Sequence, residues 1–380
     1  MPTLRICLLF ALIGSAAAPV AAAAVPEAAV ASAVERYAAL VHRRYAEAHG
    51  GVRAMQLAVA QFLAEPNDAT LELARQAWRH AHNLYSLTEA YRYYEGPIDA
   101  PPGSGGGVIE GRLNAWPLNE AYIDYVAGNP GAGIVQDPSI PLDRGVLINK
   151  NAADDEADVT TGFHAVEFLL WGQDARLDGP GNRPVSDYVG DGVAVQRRRQ
   201  YLKLATDLIV DDLATLEQAW APAPAPGKSG NYAASFRSGG KQSLGKALTG
   251  IATLAGFELA SERIAVALQS GDQEDEQSCF SDNTLEDLRY NIEGIAQVHE
   301  ALQTAIREGA PKAHRELAAS IERAQRIAAS LHGPMDVILA DPRHAERPRL
   351  AELVKALQAI ATQLQAAGRE MGIDVVIAGQ

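Results

Sequence analysis

Along most of the chain, apolar residues return at close to helical period. Asn67 and Asp68 can cap TLELARQAWRHAHNLYSLTEAYRYYE, in which Leu71, Ala74, Trp78, Ala81, Tyr85 and Tyr91 share a face. Gly96-Pro97 should stop that helix. A second runs from about Asp191 to Ala221, and further helical patterns cover Lys241 to Leu268, Thr284 to Glu308, Pro311 to Leu331 and Arg349 to Met371. Ser281 or Asp282 suits the cap before Thr284, and Pro311 suits a first-turn position. Strand patterns are nearly absent, so the fold class is all-α.

Two stretches resist a helical reading: Gly96 to Trp116, with PPGSGGG inside it, and Asn129 to Asp158. Long irregular segments inside a compact domain are more often functional than incidental. PAPAPG at 222–227 is the best linker, dividing an N-terminal helical bundle (25–221) from a C-terminal one (231–380) across residues 222–230. Gly96-Pro97-Ile98-Asp99 and Gly333-Pro334-Met335-Asp336 each follow a long helical pattern. A duplicated bundle would explain that echo, and so would two unrelated Gly-Pro helix stops.

The first 24 residues have a different character. Arg5, the apolar run Ile6 to Gly14 and the small residues Ala22 to Ala24 make a secretory signal, too short to span a bilayer. Cleavage after Ala24 (or, alternatively, Ala18) leaves a chain with no later run of transmembrane length. Cys7 lacks the context of a lipid-attachment site and leaves with the signal. Cys279 then stands alone, so no internal disulfide is expected. Export into the periplasm or cell envelope, without lipid anchorage, follows.

The 380 residues carry 33 Lys plus Arg against 47 Asp plus Glu, a net charge of −14. That balance argues against nucleic acid and anionic lipid as partners. Hydrophobic residues at 47% mark a globular chain rather than a disordered one. None of this names a function.

The sharpest local feature is TTGFHAVEFLLWGQD, residues 160–174. His164 and Glu167 lie three apart on a helix that is apolar around nearly its whole circumference, so they project from one side. An imidazole and a carboxylate together suit a divalent cation, and burying them unsatisfied is costly. A core histidine hydrogen-bonded to a carboxylate meets the same spacing. There is no H-E-x-x-H, G-x-S-x-G, Walker loop or dinucleotide fingerprint. GSGGG at 103–107 lacks the strand and helix that would flank a phosphate loop.

Gly162, His164 and Glu167, extended by FLLWGQD, match the G-x-H-x-x-E of the imelysin family, also classed as peptidase family M75. TEAYRYYEGPID (88–99), RLNAWPLNEAYIDYV (112–126), SFRSGGKQSLGKALTGIATLAGFELASERIAVAL (235–268) and EDEQSCFSDNTLED (274–287) extend the resemblance over nearly the whole mature chain. It implies two related helical bundles with the H-x-x-E site near a cleft between them. It also implies an exported protein tied to iron acquisition, and it carries a metallopeptidase label. The chain departs from the family at Gln277 and Leu285, where members carry histidines.

Other candidates follow from spacing. Trp116, Glu120 and Asp124 lie beyond the irregular loop, and Glu120 and Asp124 could join Glu167 in a carboxylate-rich cation site or form an exposed acidic face. Glu89 and Arg92 can pair with each other, as can Glu258, Glu262 and Arg263, or they can line a cleft. Asp282 and Asn283 read as caps more readily than as ligands. His80 and His82 face different sides of their helix.

Two functions are compatible with these residues. One is an envelope binding protein that holds iron, zinc, haem or another iron-containing ligand at His164 and Glu167, with a partner in an uptake system. The other is a zinc peptidase acting on polypeptide. There Glu167 is a metal ligand of the catalytic centre, and Glu120 or Glu258 is the candidate base.

Overall fold

The computed structural model describes residues 25–100, 109–177 and 179–377. The signal segment 1–24 and the loop GSGGG therefore lie outside the described residues. The principal helices of the first half are α1 (Glu27–Ala64) and α2 (Asp68–Ser86). Four short helices follow: α3 (Ile109–Leu113), α4 (Glu120–Ile123), α5 (Gly133–Gln136) and α6 (Arg144–Lys150). Then come α7 (Gly162–Trp171) and α8 (Val193–Trp220). The second half contains α9 (Tyr232–Ser238), α10 (Lys241–Thr253), a π-helix (Leu254–Ala265) and α11 (Val266–Ser270). It ends with α12 (Thr284–Gly309), α13 (Pro311–Ser330), α14 (Met335–Ala340) and α15 (Arg347–Met371). No strand occurs among the described residues, so the chain is all-α.

The packing follows the apolar stripes. Along α1 the buried residues Ala33, Tyr37, Val41, Tyr45, Ala48, Val52, Met55, Val59 and Phe62 recur every three or four positions. α1 lies along α2 and α8, and α7 is wedged between α2 and α8. Gly51 admits the close approach of α2, because a Cβ there would stand 2.8 Å from Leu84 Cδ1. In the second half α12, α13, α15 and the π-helix pack together, and α12 also meets α1 and α2. One continuous core runs through all of these. Asn231 caps α9, and its amide donates to Ala221 O, which ties down both ends of the 222–230 segment. α9 returns onto α1 and α8, with Phe236 stacked on Tyr37.

Several boundaries differ from those the pattern predicts. The Asn67 cap is present as a reciprocal pair with Thr70, but α2 ends at Ser86 rather than at Gly96. The next turn tightens into a 3₁₀-helix, Leu87–Tyr91, where Gly294 of α12 presses on the Leu87 carbonyl and Asn291 takes the Ser86 carbonyl. The two irregular stretches are punctuated by α3, α5 and α6. Asn283 holds the cap position of α12 without a side-chain cap bond. Ser281 is drawn to Glu167 instead, and Asp282 adopts a left-handed conformation. Within 241–270 the π-helix interrupts the expected α-helix. Its i→i+5 ladder stacks Glu258 over Arg263, which an α-helix would splay apart.

Candidate functional site

α7 carries the H-x-x-E pair. Gly162 opens it at φ +86, and a Cβ there would meet Leu113 O at 2.5 Å, so only glycine lets α7 start against α3. The indole of Trp78 in α2 donates to Phe163 O (2.9 Å) and fixes the first turn from the other side. His164 and Glu167 are both buried, with Nδ1 to Oε2 at 2.8 Å. The Ser281 backbone N–H (3.0 Å) and hydroxyl (2.6 Å) both donate to Glu167 Oε1. Three contacts thus engage the Glu167 carboxyl group within the protein, one at Oε2 and two at Oε1.

His164 Nε2 is different. It is buried and has no hydrogen-bond partner. His164 lines a small space together with Trp116, Leu118, Glu276, Gln277, Cys279 and Phe280, with a volume of about 10 Å³, on the order of one water. Burial, reinforced by the neighbouring His82, pushes the His164 pKa down to about 3. Burial pushes the Glu167 pKa up to about 8, against the pull of the Ser281 donors. The pair accordingly holds two protons or one. With two, Glu167 donates to Nδ1 and Nε2 carries hydrogen. With one, Nδ1–H donates to the carboxylate and Nε2 offers a lone pair. The second state is the arrangement in which a carboxylate orients a metal-ligating histidine.

His82 stands behind the pair, its ring 5.4 Å from that of His164. Asp287 Oδ1 lies 2.8 Å from its Nδ1, and Asn114 Oδ1 lies 3.0 Å from its Nε2. Burial opposes charge on His82, but Asp287 and the two hydrogen bonds outweigh it and raise the pKa. Asn114 also donates to Glu89, which pairs with Arg263 Nη1 at 2.6 Å and Arg92 Nη1 at 3.2 Å. Arg263 continues to Glu258, Gln277 and Asn291. This is a polar layer built from both halves of the chain, in which each carboxylate is matched by a cation or a donor.

The sequence candidates divide accordingly. Gly162, His164, Glu167 and Trp116 come together, and Glu89, Arg92, Glu258 and Arg263 form the layer behind them. Glu120 and Asp124 do not join Glu167. Glu120 accepts from Gln173, and Asp124 is a buried node held by Arg183, Arg198 and Gln136. Asp282 stands beside Ser281 but turns to other acids. Cys279 is free and buried. Asn114, Glu276 and Asp287 were not singled out by spacing, Ser281 reads only as a candidate cap, and His82 only as facing away from His80. Their partners lie as far as 205 residues away, as with His82 and Asp287, and local periodicity carries no signal of that kind.

The imelysin (peptidase M75) family model matches residues 41–364. The chain belongs to the imelysin family. Iron-regulated protein A of Synechococcus elongatus is 23% identical over 318 residues, spanning 79% of this chain and 75% of that one. Among solved structures, one assigned as an iron-regulated protein A precursor from Parabacteroides distasonis superposes with a TM-score of 0.69 at 19% identity. It covers 92% of this chain and 97% of its own. An imelysin-like protein from Psychrobacter arcticum gives 0.67 at 15% identity, over 93% and 100%. These structures share the imelysin fold with this chain. No helix among the described residues is long and apolar enough to cross a membrane.

The donor set bears on the metal. A zinc hydrolase site commonly uses three protein ligands and one open position. Among the described residues no third His, Cys, Asp or Glu places a ligand atom within 4.8 Å of ligand atoms from both His164 and Glu167. Glu258 and Glu120, the candidate bases, are engaged elsewhere. What the geometry offers is one nitrogen, oriented by Glu167, with Glu276 and Cys279 across a small gap.

Proposed function

We propose that this imelysin-family chain is exported to the cell envelope by its leader, 1–24, and binds a metal ion, iron above all, in an iron-acquisition role. His164 Nε2 is the primary ligand and Glu167 its positioning partner, not a second ligand. The observation that carries this reading is the orphaned, buried Nε2. Such an atom costs on the order of 1–3 kcal/mol unless a ligand satisfies it. The small size of the space favours an ion over a large ligand. Haem would have to displace the 274–280 segment that lines it. The relatives named for iron regulation support the iron reading. A peptidase centre gains no comparable support, because the third ligand and the base are not assembled.

The test is metal loading of residues 25–380 after chelator stripping, with ferrous iron and zinc in parallel, read by elemental analysis. One equivalent in the wild type, absent from His164→Ala, is the expected result. Uptake of a metal should also release about one proton at pH 7, since binding selects the singly protonated pair. No metal in the wild type, or the same content in the variant, would overturn the proposal.

A further inference from the structure

Across the Ser281–Asp282 peptide from the H-x-x-E pair lies a second group of acids. Asp174 follows α7, Asp282 precedes α12 and Asp336 sits in the first turn of α14. One carboxylate oxygen from each lies within 4.8 Å of the others. Acids gather on many surfaces without a ligand, so proximity alone decides nothing. Burial and partnering decide it. Asp336 is 1% exposed, and neither of its oxygens makes a hydrogen bond; only the backbone N–H groups of Val337 and Asp336 itself lie near enough to ease it. Asp174 is buried as well, with Oδ2 unpartnered, and Asp282 Oδ1 is unpartnered. Glu276, outside the trio and 2% exposed, has two oxygens without a hydrogen bond of normal geometry, although the Thr284 hydroxyl is close. Asp336 and Asp282 are among the like charges that act on it.

We infer that Asp174, Asp282 and Asp336 bind a hard divalent cation of the calcium class at a site that includes neither His164 nor Glu167. The donors are carboxylate oxygens without nitrogen or sulfur, which favours calcium, magnesium or manganese over zinc or copper. Calcium accepts six to eight oxygens in flexible geometry, so three carboxylates from three segments suit it better than they suit the stricter octahedron of magnesium. Asp336 also lines a surface groove with Ser270, Asp272 and Gln273, which gives the ion and its remaining waters a way in. Bound there, the cation ties the segment after α7 to the starts of α12 and α14. It also steadies Ser281, whose two donors hold Glu167.

The experiment uses chelator-treated chain 25–380 titrated with calcium chloride, magnesium and manganese being run in parallel, by calorimetry and thermal melting. The expected result is a single calcium site and a Tm that rises with calcium. Asp336→Asn and Asp174→Asn, which keep volume and remove charge, should each weaken binding at least tenfold while retaining the helical circular dichroism of the wild type. His164→Ala should bind calcium as the wild type does, which keeps this site distinguishable from the iron site. Absence of calcium binding by the wild type overturns the inference. So does undiminished binding in Asp336→Asn, or loss of calcium binding in His164→Ala.

Discussion

Glu89 and Asp336 are both closed to solvent, Glu89 deep in the fold and Asp336 beside a surface groove, yet only Glu89 is surrounded by cations and donors. Burial alone would raise its pKa, but Arg263 and Arg92 outweigh that and hold it down at about 2. Asp124 has Arg183 and Arg198, and Asp287 has His82. Around Asp336 the neighbours are Asp174, Asp282 and Glu276; Arg176 eases Asp174 and Arg79 eases Asp282, but burial and the like charges outweigh them and both acids are raised. The Gly-Pro-x-Asp echo makes the contrast within one motif. Asp99 takes the Tyr93 N–H and pairs with Arg92, whereas its counterpart Asp336 takes no side chain at all. This chain can satisfy a buried acid when the acid serves only the fold. Where it leaves acids unmatched, a ligand is the economical explanation.

The largest expected effect tests the side where the acids are matched. Arg263→Ala leaves Glu89 and Glu258 without their shared cation, and breaking a buried pair costs about 3–5 kcal/mol. Urea denaturation should show that loss. On the acidic side, Asp336→Asn without added cation should leave stability unchanged or raise it, because it removes repulsion. Equal losses in the two variants would abolish the distinction.

The next effects sharpen the boundary between the two regions, which runs through α7 and Ser281. Gly162→Ala should cost about 1–3 kcal/mol from its backbone conformation alone, before the clash with Leu113 O is added. It should also weaken metal loading at His164, since α7 and α3 are displaced together. Ser281→Ala removes one of two donors to Glu167 Oε1 and should cost about 1.5 kcal/mol. Its clearer readout is the Glu167 carboxyl frequency in infrared titration, which should move to a higher pKa. An unmoved titration would mean that the backbone N–H suffices.

The helices were legible because amphipathic spacing is local, and α8, α12, α13 and α15 fall within a few residues of their predicted ends. The π-helix was not, since LAGFELASERIA has the composition of an α-helix and only the packing of α15 and the Glu258–Arg263 pair reveal the wider ladder. His164 and Glu167 were found by spacing, and their contact is as the helix requires. The surroundings of Glu167 were not, because Ser281, whose hydroxyl and backbone N–H both donate to Glu167 Oε1, lies 114 residues away. Asp282 shows the same limit from the other side. Beside the start of a helical pattern it reads as a cap, and only the fold brings Asp174 and Asp336 to it.

Glu120 lies between the two classes and supplies the smallest effect. It is half-buried and accepts from Gln173, while no cation pairs with it directly. Burial, with Glu274 adding to it, raises its pKa from 4.5 to about 7. Between those values the folded chain binds more protons at this group than the unfolded chain does. Its contribution to stability is therefore full below pH 4.5 and declines as pH rises toward 7. Glu120→Gln removes that decline, so the difference in stability between wild type and variant should tilt in the variant's favour across pH 4.5 to 7. Asp174 and Asp282, with pKa values near 6 and 7, contribute slopes of the same sign that remain in the variant. The difference between the two curves therefore isolates Glu120. Parallel curves would place its carboxylate in contact with bulk water, on neither side of the comparison.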